Sequence, residues 1–207
     1  MFRDRPCFSF CRGALFAGLV GLQICLGAAA AQANAIVDLI WSFNSGGGPI
    51  GTSVTTASPG DQLTLEVYLT TTGSSGYSIS FTNDSELTVT NAFNTPDAAF
   101  AFPVGPTSIG GNNVDSLGAA ATVPALAGNY LMGSIDFTVV GPVLNDGDDV
   151  FSGLFNAADG ISDSSGNPDI QLTFNGAQVV PEPGTLALVG GGVLALAWRG
   201  RRRIVTD

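Results

Sequence analysis

The chain has 207 residues and a formal net charge of -10, so its surface repels nucleic acid and anionic membrane surfaces. All seven basic residues are arginines near the two ends, whereas fourteen of the seventeen acids lie between Ile36 and Val180. That region has no Lys, Arg, His or Cys. It therefore forms no internal salt bridge, and it excludes His- or Lys-activated nucleophiles and His/Cys zinc sites.

Residues 1–35 predict a secretory signal peptide. Arginines precede the apolar run Gly13–Gly27, and a series of small residues follows it, which is the order of regions in a signal. Ala33-Asn34-Ala35 is the better small-x-small cleavage site, with Ala33 and Ala35 at the key positions, and Ala31-Gln32-Ala33 is the next. An uncleaved anchor is the alternative, although the apolar run is short for a membrane span. All three cysteines precede the cleavage sites, so no disulfide is expected in the mature chain.

The last residues, 181–207, form three consecutive parts. Pro181-Glu182-Pro183 is expected to be rigid and extended, because each proline fixes φ and restricts the residue before it. An apolar stretch over residues 185–198 predicts a transmembrane helix, although a helix needs about 20 residues to cross a bilayer comfortably and this stretch is shorter. Four arginines, at positions Arg199, Arg201, Arg202 and Arg203, then predict a cytoplasmic anchor for that helix.

This three-part tail resembles the PEP-CTERM sorting signal of exopolysaccharide-producing Gram-negative bacteria. The resemblance implies that Pro181, Glu182 and Pro183 are recognised by an exosortase, a membrane-embedded cysteine protease. It further implies export, transient anchoring in the inner membrane, and delivery to the cell surface or extracellular matrix, in association with exopolysaccharide and biofilm. An ordinary C-terminal anchor is the alternative interpretation.

Residues 36–180 show the alternation of apolar and polar residues that is typical of strands. Turn-forming residues such as Ser58-Pro59-Gly60-Asp61 separate the strands, whereas the Gly- and Ala-rich stretch Gly105–Gly128 is expected to be a long loop. The pattern predicts an all-β fold, an antiparallel β-sandwich of about eight or nine strands, flanked by an N-terminal signal helix and a C-terminal transmembrane helix. The candidate strands are Ile36–Phe43, Leu63–Thr70, Tyr77–Thr82, Glu86–Phe93, Ala99–Val104, Ile135–Val139, Asp149–Phe155 and Ile170–Asn175.

The middle region also resembles cohesin-like modules. The resemblance lies in Ser58-Pro59-Gly60-Asp61 with the alternating strand after it, and in the closing segments from Gly133–Phe137 to Asn175–Val179. Cohesins bind dockerins and share a fold with some carbohydrate-binding modules. The resemblance therefore implies a sandwich, and it makes a carbohydrate- or protein-binding module the first alternative to a purely structural surface protein.

Calcium is the small ligand that the acidic clusters predict, because Ca²⁺ binds several hard oxygen ligands. The spacing of the acids matches neither an EF-hand nor a nonapeptide repeat, and the alternative is that these residues only cap turns. The candidate calcium ligands are Asp146, Asp148, Asp149, Asp159, Asp163, Asn167 and Asp169.

Sugar binding and catalysis are two further hypotheses. Tyr68 lies beside Glu66 on the polar face of its strand, so this pair is a candidate sugar platform. A glycosidase needs only two positioned carboxylates, which makes a two-carboxylate glycosidase the second alternative, but no pair stands out among the fourteen acids. The sequence therefore favours a non-catalytic protein.

Overall fold

Strands make up nearly all the regular structure in the computed structural model, which describes residues 34–168 and 171–184 together with Gly191 and Leu194. Thirteen strands lie within these residues. In chain order they are β1 (Asn34–Asn44), β2 (Val54–Ala57), β3 (Gln62–Thr71), β4 (Ser74–Asn83), β5 (Leu87–Phe93), β6 (Phe102–Val104), β7 (Ser108–Gly110), β8 (Asn113–Ala125), β9 (Gly128–Val139), β10 (Val150–Gly153), β11 (Gly160–Ser162), β12 (Gln171–Phe174) and β13 (Gln178–Pro181).

The strands form two large sheets and one small one. The first sheet has the order β12-β1-β3-β9-β5, and the second has the order β10-β4-β8-β6, with β11 also paired to β4 and β7 to β8. The small sheet joins β13 to β2. Pairing is antiparallel except between β1 and β12 and between β2 and β13, which are parallel.

Alternation along the strands decides which side chains enter the core. In β3, residues 63, 65, 67 and 69 are buried while the side chains between them face outward, because successive residues of a strand point to opposite faces. Buried residues of both large sheets form one apolar cluster. Each large side chain in it contributes about 1.5–3 kcal/mol through burial.

Aromatic side chains connect the two large sheets. The Tyr77 hydroxyl of β4 donates a hydrogen bond to the Met132 carbonyl of β9 at 3.2 Å. The Tyr77 ring meets Phe100 edge to face, with ring centroids 5.0 Å apart. Within the first sheet, Trp41 of β1 is fully buried and packs edge to face on Phe137 of β9, with ring centroids 5.9 Å apart. The predicted all-β sandwich is therefore confirmed. The structure also contains short edge strands and two parallel strand pairs that the sequence did not predict.

The prediction of a long loop over Gly105–Gly128 is wrong. This stretch contains β7 and β8, and β8 lies between β4 and β6 in the second sheet. Its small residues are there because the chains approach closely: a Cβ on Gly118 would lie 2.6 Å from the Tyr77 carbonyl oxygen and 3.1 Å from the Ser78 Cα. The small residues that suggested a loop in the sequence are therefore needed so that β8 can pack against β4.

Both chain ends lie largely outside the described residues. The predicted signal peptide up to Ala33, most of the predicted helix over 185–198, and Arg199, Arg201, Arg202 and Arg203 belong to that part. Within the described part of the chain, no helix has the length and hydropathy needed to span a membrane.

Candidate functional site

A cluster of acidic side chains forms where the β4–β5 turn meets the loop before β10. Asp84 follows β4 directly, and its amide donates a hydrogen bond to the Asp149 carbonyl at 2.9 Å. The backbone is thereby fixed with the two acids side by side. Asp146 reaches the same place from the loop, and one carboxylate oxygen of each of the three acids lies within 4.8 Å of the others.

Asp149 is the buried member of this acid cluster, which we define as Asp84, Asp146 and Asp149. It has 0% exposure, and its Oδ2 accepts a hydrogen bond from the Val179 amide. Its Oδ1 has no hydrogen-bond partner among the described residues. Burial, followed by the charges of Glu86 and the other two acids, raises the pKa of Asp149 to about 7.

Glu86 extends the acid cluster from the β4–β5 turn. It is 7% exposed, and its Oε1 accepts a hydrogen bond from the Leu144 amide at 2.9 Å. Its Oε2 is buried without a partner in the described part of the chain. Burial raises the pKa of Glu86, and the charges of Asp146 and Asp84 add to the effect.

The surroundings of these carboxylates contain no counter-charge from side chains. The sequence from Ile36 to Val180 has no basic residue, so the buried acids cannot be neutralised by an ion pair with that region. An uncompensated buried carboxylate is costly. The arrangement is therefore suited either to a bound proton or to a bound cation.

The structure divides the predicted calcium ligands. Asp146 and Asp149 come together, and sequence reasoning missed Asp84 and Glu86 as their neighbours. Asp148 is not in the cluster; its carboxylate lies against Gly176, where a Cβ would be 2.2 Å from Oδ2.

The other predicted calcium ligands bind neighbouring groups of the protein. Asp159 accepts hydrogen bonds from Ser116 at 3.1 Å and from the Asn156 amide at 2.9 Å. Asp163 accepts from the amides of Ser165 and Asn167, at 2.7 and 2.9 Å, and these bonds lower its pKa. The structure therefore shows Asp163 and Asn167 capping their own turn, while Asp169 lies outside the described residues.

The predicted sugar platform lies on the outward face of the first sheet. The Tyr68 hydroxyl donates to Glu66 Oε2 at 2.7 Å, and both side chains are half-buried. This hydrogen bond, followed by partial burial, raises the pKa of Tyr68. Asp38 on β1 and Leu131 on β9 flank Tyr68 in register. The face thus presents one aromatic ring beside carboxylates.

The tail motif starts inside the last strand. Pro181 is the last residue of β13 and pairs with Ala57 of β2. Pro181 and Glu182 are half-buried, while Pro183 is exposed. The motif, expected to be extended throughout, is extended only at Pro181, where the sandwich holds it, and its exposed end at Pro183 is helical.

The other end of the sandwich bears on the signal cleavage sites. β1 begins at Asn34, and Ala35 is buried within it. Ala35 pairs with Thr71 on one side and with Leu172 on the other. Asn34 and Ala35, the last two residues of the predicted cleavage site Ala33-Asn34-Ala35, thus belong to the first sheet.

Comparison with known families identifies the tail. Residues 179–203 match the family model described as the PEP-CTERM protein-sorting motif, which confirms the resemblance seen in the sequence. The chain carries an exosortase-type sorting signal, and this indicates a secreted protein that is processed at the membrane and displayed on the cell surface.

Comparison with solved structures gives two similar chains. The solution structure of CaCohA2 from Clostridium acetobutylicum is 12% identical, with a TM-score of 0.49, and the match covers 72% of this chain and 92% of that chain. A non-cellulosomal cohesin from the hyperthermophilic archaeon Archaeoglobus fulgidus is 14% identical, with a TM-score of 0.45, and the match covers 76% and 97%. Cohesins are also the modules that the middle of the sequence resembles. No curated protein matches the chain.

Proposed function

We propose that this chain is a non-catalytic exported protein whose β-sandwich works at the cell surface or in the extracellular matrix, in association with exopolysaccharide. The tail is its sorting signal. An exosortase recognises Pro181-Glu182-Pro183 while the apolar segment and the arginines hold the chain in the inner membrane. Processing near the motif then separates the sandwich from its anchor.

The position of the motif relative to β13 is the observation that carries this proposal. Four register pairs join β13 to β2, from Gln178–Val54 to Pro181–Ala57, and Val179 is buried. Every described strand ends at or before Pro181. A cut beyond Pro181 therefore leaves the sandwich complete, as a protein that is to act after release requires.

The buried acids support a non-catalytic role. Glu86 and Asp149 are the acids whose pKa values burial raises, a property expected of a catalytic acid. Both side chains are less than a tenth exposed, so neither carboxyl group is open to a polysaccharide. A general acid must contact the group that it protonates.

Alanine substitution of the motif tests the proposed sorting. We expect Glu182→Ala and Pro183→Ala, alone or together, to leave the protein in the membrane fraction with its C-terminal tail still attached. Pro168→Ala, which changes an exposed proline in a turn outside the motif, is the control and should be processed like the wild type. Normal release of the double variant would contradict the proposal.

A binding module is the second candidate, favoured by the Tyr68–Glu66 pair. The phenol is hydrogen-bonded to a carboxylate and held between β1 and β9, so the ring has a fixed orientation on an accessible face. An aromatic ring with a polar tip beside it is suited to a sugar ring. Tyr68→Ala should abolish retention on the polysaccharide of the producing cells, whereas Thr70→Ala, farther along the same face, should leave it unchanged.

The fold also bears on the signal cleavage site. Cleavage after Ala35 would remove Asn34 and Ala35, which supply two of the four register pairs between β1 and β12. Cleavage after Ala33 keeps the whole of β1. We therefore propose Ala31-Gln32-Ala33 as the site that is used.

A further inference from the structure

We propose that Asp84, Asp146 and Asp149, with Glu86 beside them, form a calcium site. This inference does not depend on the proposed sorting function, because it concerns only side chains of the sandwich. The three aspartates come from two separate segments, the β4–β5 turn and the loop before β10, and the fold brings one oxygen of each within 4.8 Å of the others.

The spacing of these oxygens fits one shared ion. Oxygen ligands lie about 2.3–2.6 Å from Ca²⁺, so two oxygens bound to the same ion are at most about 4.6–5.2 Å apart. The three aspartate oxygens lie within 4.8 Å of one another, so they are close enough to share one ion. Asp84 and Asp146 are exposed, which leaves room for water molecules to complete the six to eight oxygen ligands that calcium takes.

Two buried oxygens without partners provide the second, independent observation. No N–H or hydroxyl group of the described residues donates to Asp149 Oδ1 or Glu86 Oε2, although both side chains are more than nine-tenths buried. The two carboxyl groups can share a proton with each other, and that proton is the alternative occupant to a cation. Buried polar atoms nearly always have a partner. When both carboxyl groups are ionised, no base in the region offsets their charges, so a bound cation is the partner that these oxygens can take.

The ligand chemistry selects a hard cation. Every side chain offered to the ion is a carboxylate, and the region has no His or Cys, so soft and borderline metals are disfavoured. Mg²⁺ demands a near-ideal octahedron and keeps most of its water, whereas Ca²⁺ accepts irregular sets of carboxylates. Calcium is therefore the ion that this cluster fits.

Calcium at this place would connect the sandwich to its last strand. Asp149 belongs to the cluster, and its Oδ2 accepts the Val179 amide of β13, which leaves Oδ1 without a donor among the described residues. Gln178 Nε2 donates to Asn145 Oδ1 in the same loop at 3.0 Å. Fixing the loop with an ion therefore also fixes the strand that leads into the sorting motif.

Calorimetry and thermal unfolding of the full-length chain, purified in mild detergent and freed of metal with a chelator, test the site. We expect one equivalent of Ca²⁺ to bind with a Kd below about 1 mM, the range of extracellular modules. Calcium at about 100 times Kd should raise the Tm by about 5–10 °C. Mg²⁺ at the same concentration should have a much smaller effect.

A pair of matched variants separates a specific site from general acidity. Asp146→Asn should weaken calcium binding at least about tenfold, as expected for a lost charged ligand. Asp148→Asn removes the same charge from the same loop but lies outside the cluster, and should bind calcium as the wild type does. Asp84→Asn gives a second exposed ligand variant, and far-ultraviolet circular dichroism in chelator verifies that each variant folds. Equal losses in Asp146→Asn and Asp148→Asn, or no calcium-dependent heat in the folded wild type, would overturn the proposal.

Discussion

The side chain of Asp149 accepts a hydrogen bond from the backbone amide of Val179, across a sequence separation of 30 residues. This bond joins the acid cluster to β13, and β13 carries the first residues of the PEP-CTERM motif. Asp149, which has no exposed surface, therefore contacts the strand whose last residue, Pro181, begins the sequence at which the chain is expected to be processed.

Asp149→Asn is expected to affect stability in opposite directions with and without calcium. In chelator, at a pH of about 8, the neutral amide removes a buried charge that faces Glu86, Asp84 and Asp146, so the Tm should be at or above that of the wild type. In calcium, the variant lacks a charged ligand and should lose most of the metal-dependent increase in Tm. Thermal unfolding in the two buffers measures both effects.

Asp148→Asn is the control for this pair of measurements. It removes one negative charge next to Asp149, yet its carboxylate lies against Gly176 instead of in the cluster. We expect its Tm to rise on calcium addition by as much as that of the wild type. If Asp149→Asn were destabilised equally in chelator and in calcium, its role would be structural only, and the calcium site would lose its support.

Trp41 is expected to be among the largest single contributors to the stability of the sandwich. Trp41→Ala should lower the free energy of unfolding by about 3–5 kcal/mol, because a fully buried side chain is lost. Trp41→Phe keeps apolar volume but leaves the Gln178 carbonyl without the indole N–H that donates to it at 3.0 Å, at a cost of about 1–3 kcal/mol. Phe43, on the same strand, is 52% exposed, so Phe43→Ala should cost below about 1 kcal/mol.

Urea unfolding of these three variants provides the measurement. The hydrogen bond from Trp41 to Gln178 fixes the residue where β13 begins, so its loss should also speed amide exchange at Val179. A Phe43→Ala variant as unstable as Trp41→Ala would show that β1 lacks the irregularity between Trp41 and Phe43, so that both side chains enter the core.

Gly118→Ala tests the strand that the sequence analysis missed. The new Cβ would lie 2.6 Å from the Tyr77 carbonyl oxygen, which forces β8 away from β4 and should cost about 1–3 kcal/mol. Gly110→Ala is the matched control, because its Cβ would meet no atom within 4 Å. Chemical unfolding should leave this control within about 1 kcal/mol of the wild type. Equal stability of the two variants would mean that β8 does not pair with β4 as described.

Alternation in the sequence predicted the strands whose two faces differ in polarity. Leu63–Thr70 alternates apolar and polar residues, and β3 has the corresponding alternation of burial. β8 escaped detection because its residues from Gly118 to Ala121 are too small to show either face. Small residues are required there because β4 approaches closely. That contact cannot be deduced from the sequence of β8 alone.

The acid cluster was predictable only in part. Asp146 and Asp149 are close in the sequence and were identified, but Asp84 and Glu86 lie in another turn, and only the pairing of β4 with β10 brings them near. Asp159 and Asp163 looked like ligands by residue type, yet nearby hydroxyl and amide groups already donate to them. Sequence reveals which residues can bind an ion, whereas tertiary structure decides which ones remain free to do so.

The N-terminal residue of the exported protein should be Asn34. Cleavage after Ala33 preserves all of β1, including the backbone bond from the Thr72 amide to the Asn34 carbonyl at 3.2 Å. Edman degradation of the secreted form identifies this residue directly. A mature chain that begins at Ile36 would show that β1 tolerates the loss of its first two positions.

The most direct test of the proposed sorting is the intact mass of the protein recovered from the outer surface of the producing cells. The proposal predicts a species that ends near Pro181–Pro183, with the complete sandwich and without Arg199, Arg201, Arg202 and Arg203. A surface species that still carries those four arginines would contradict it, because the sandwich would then have reached the surface without removal of its tail.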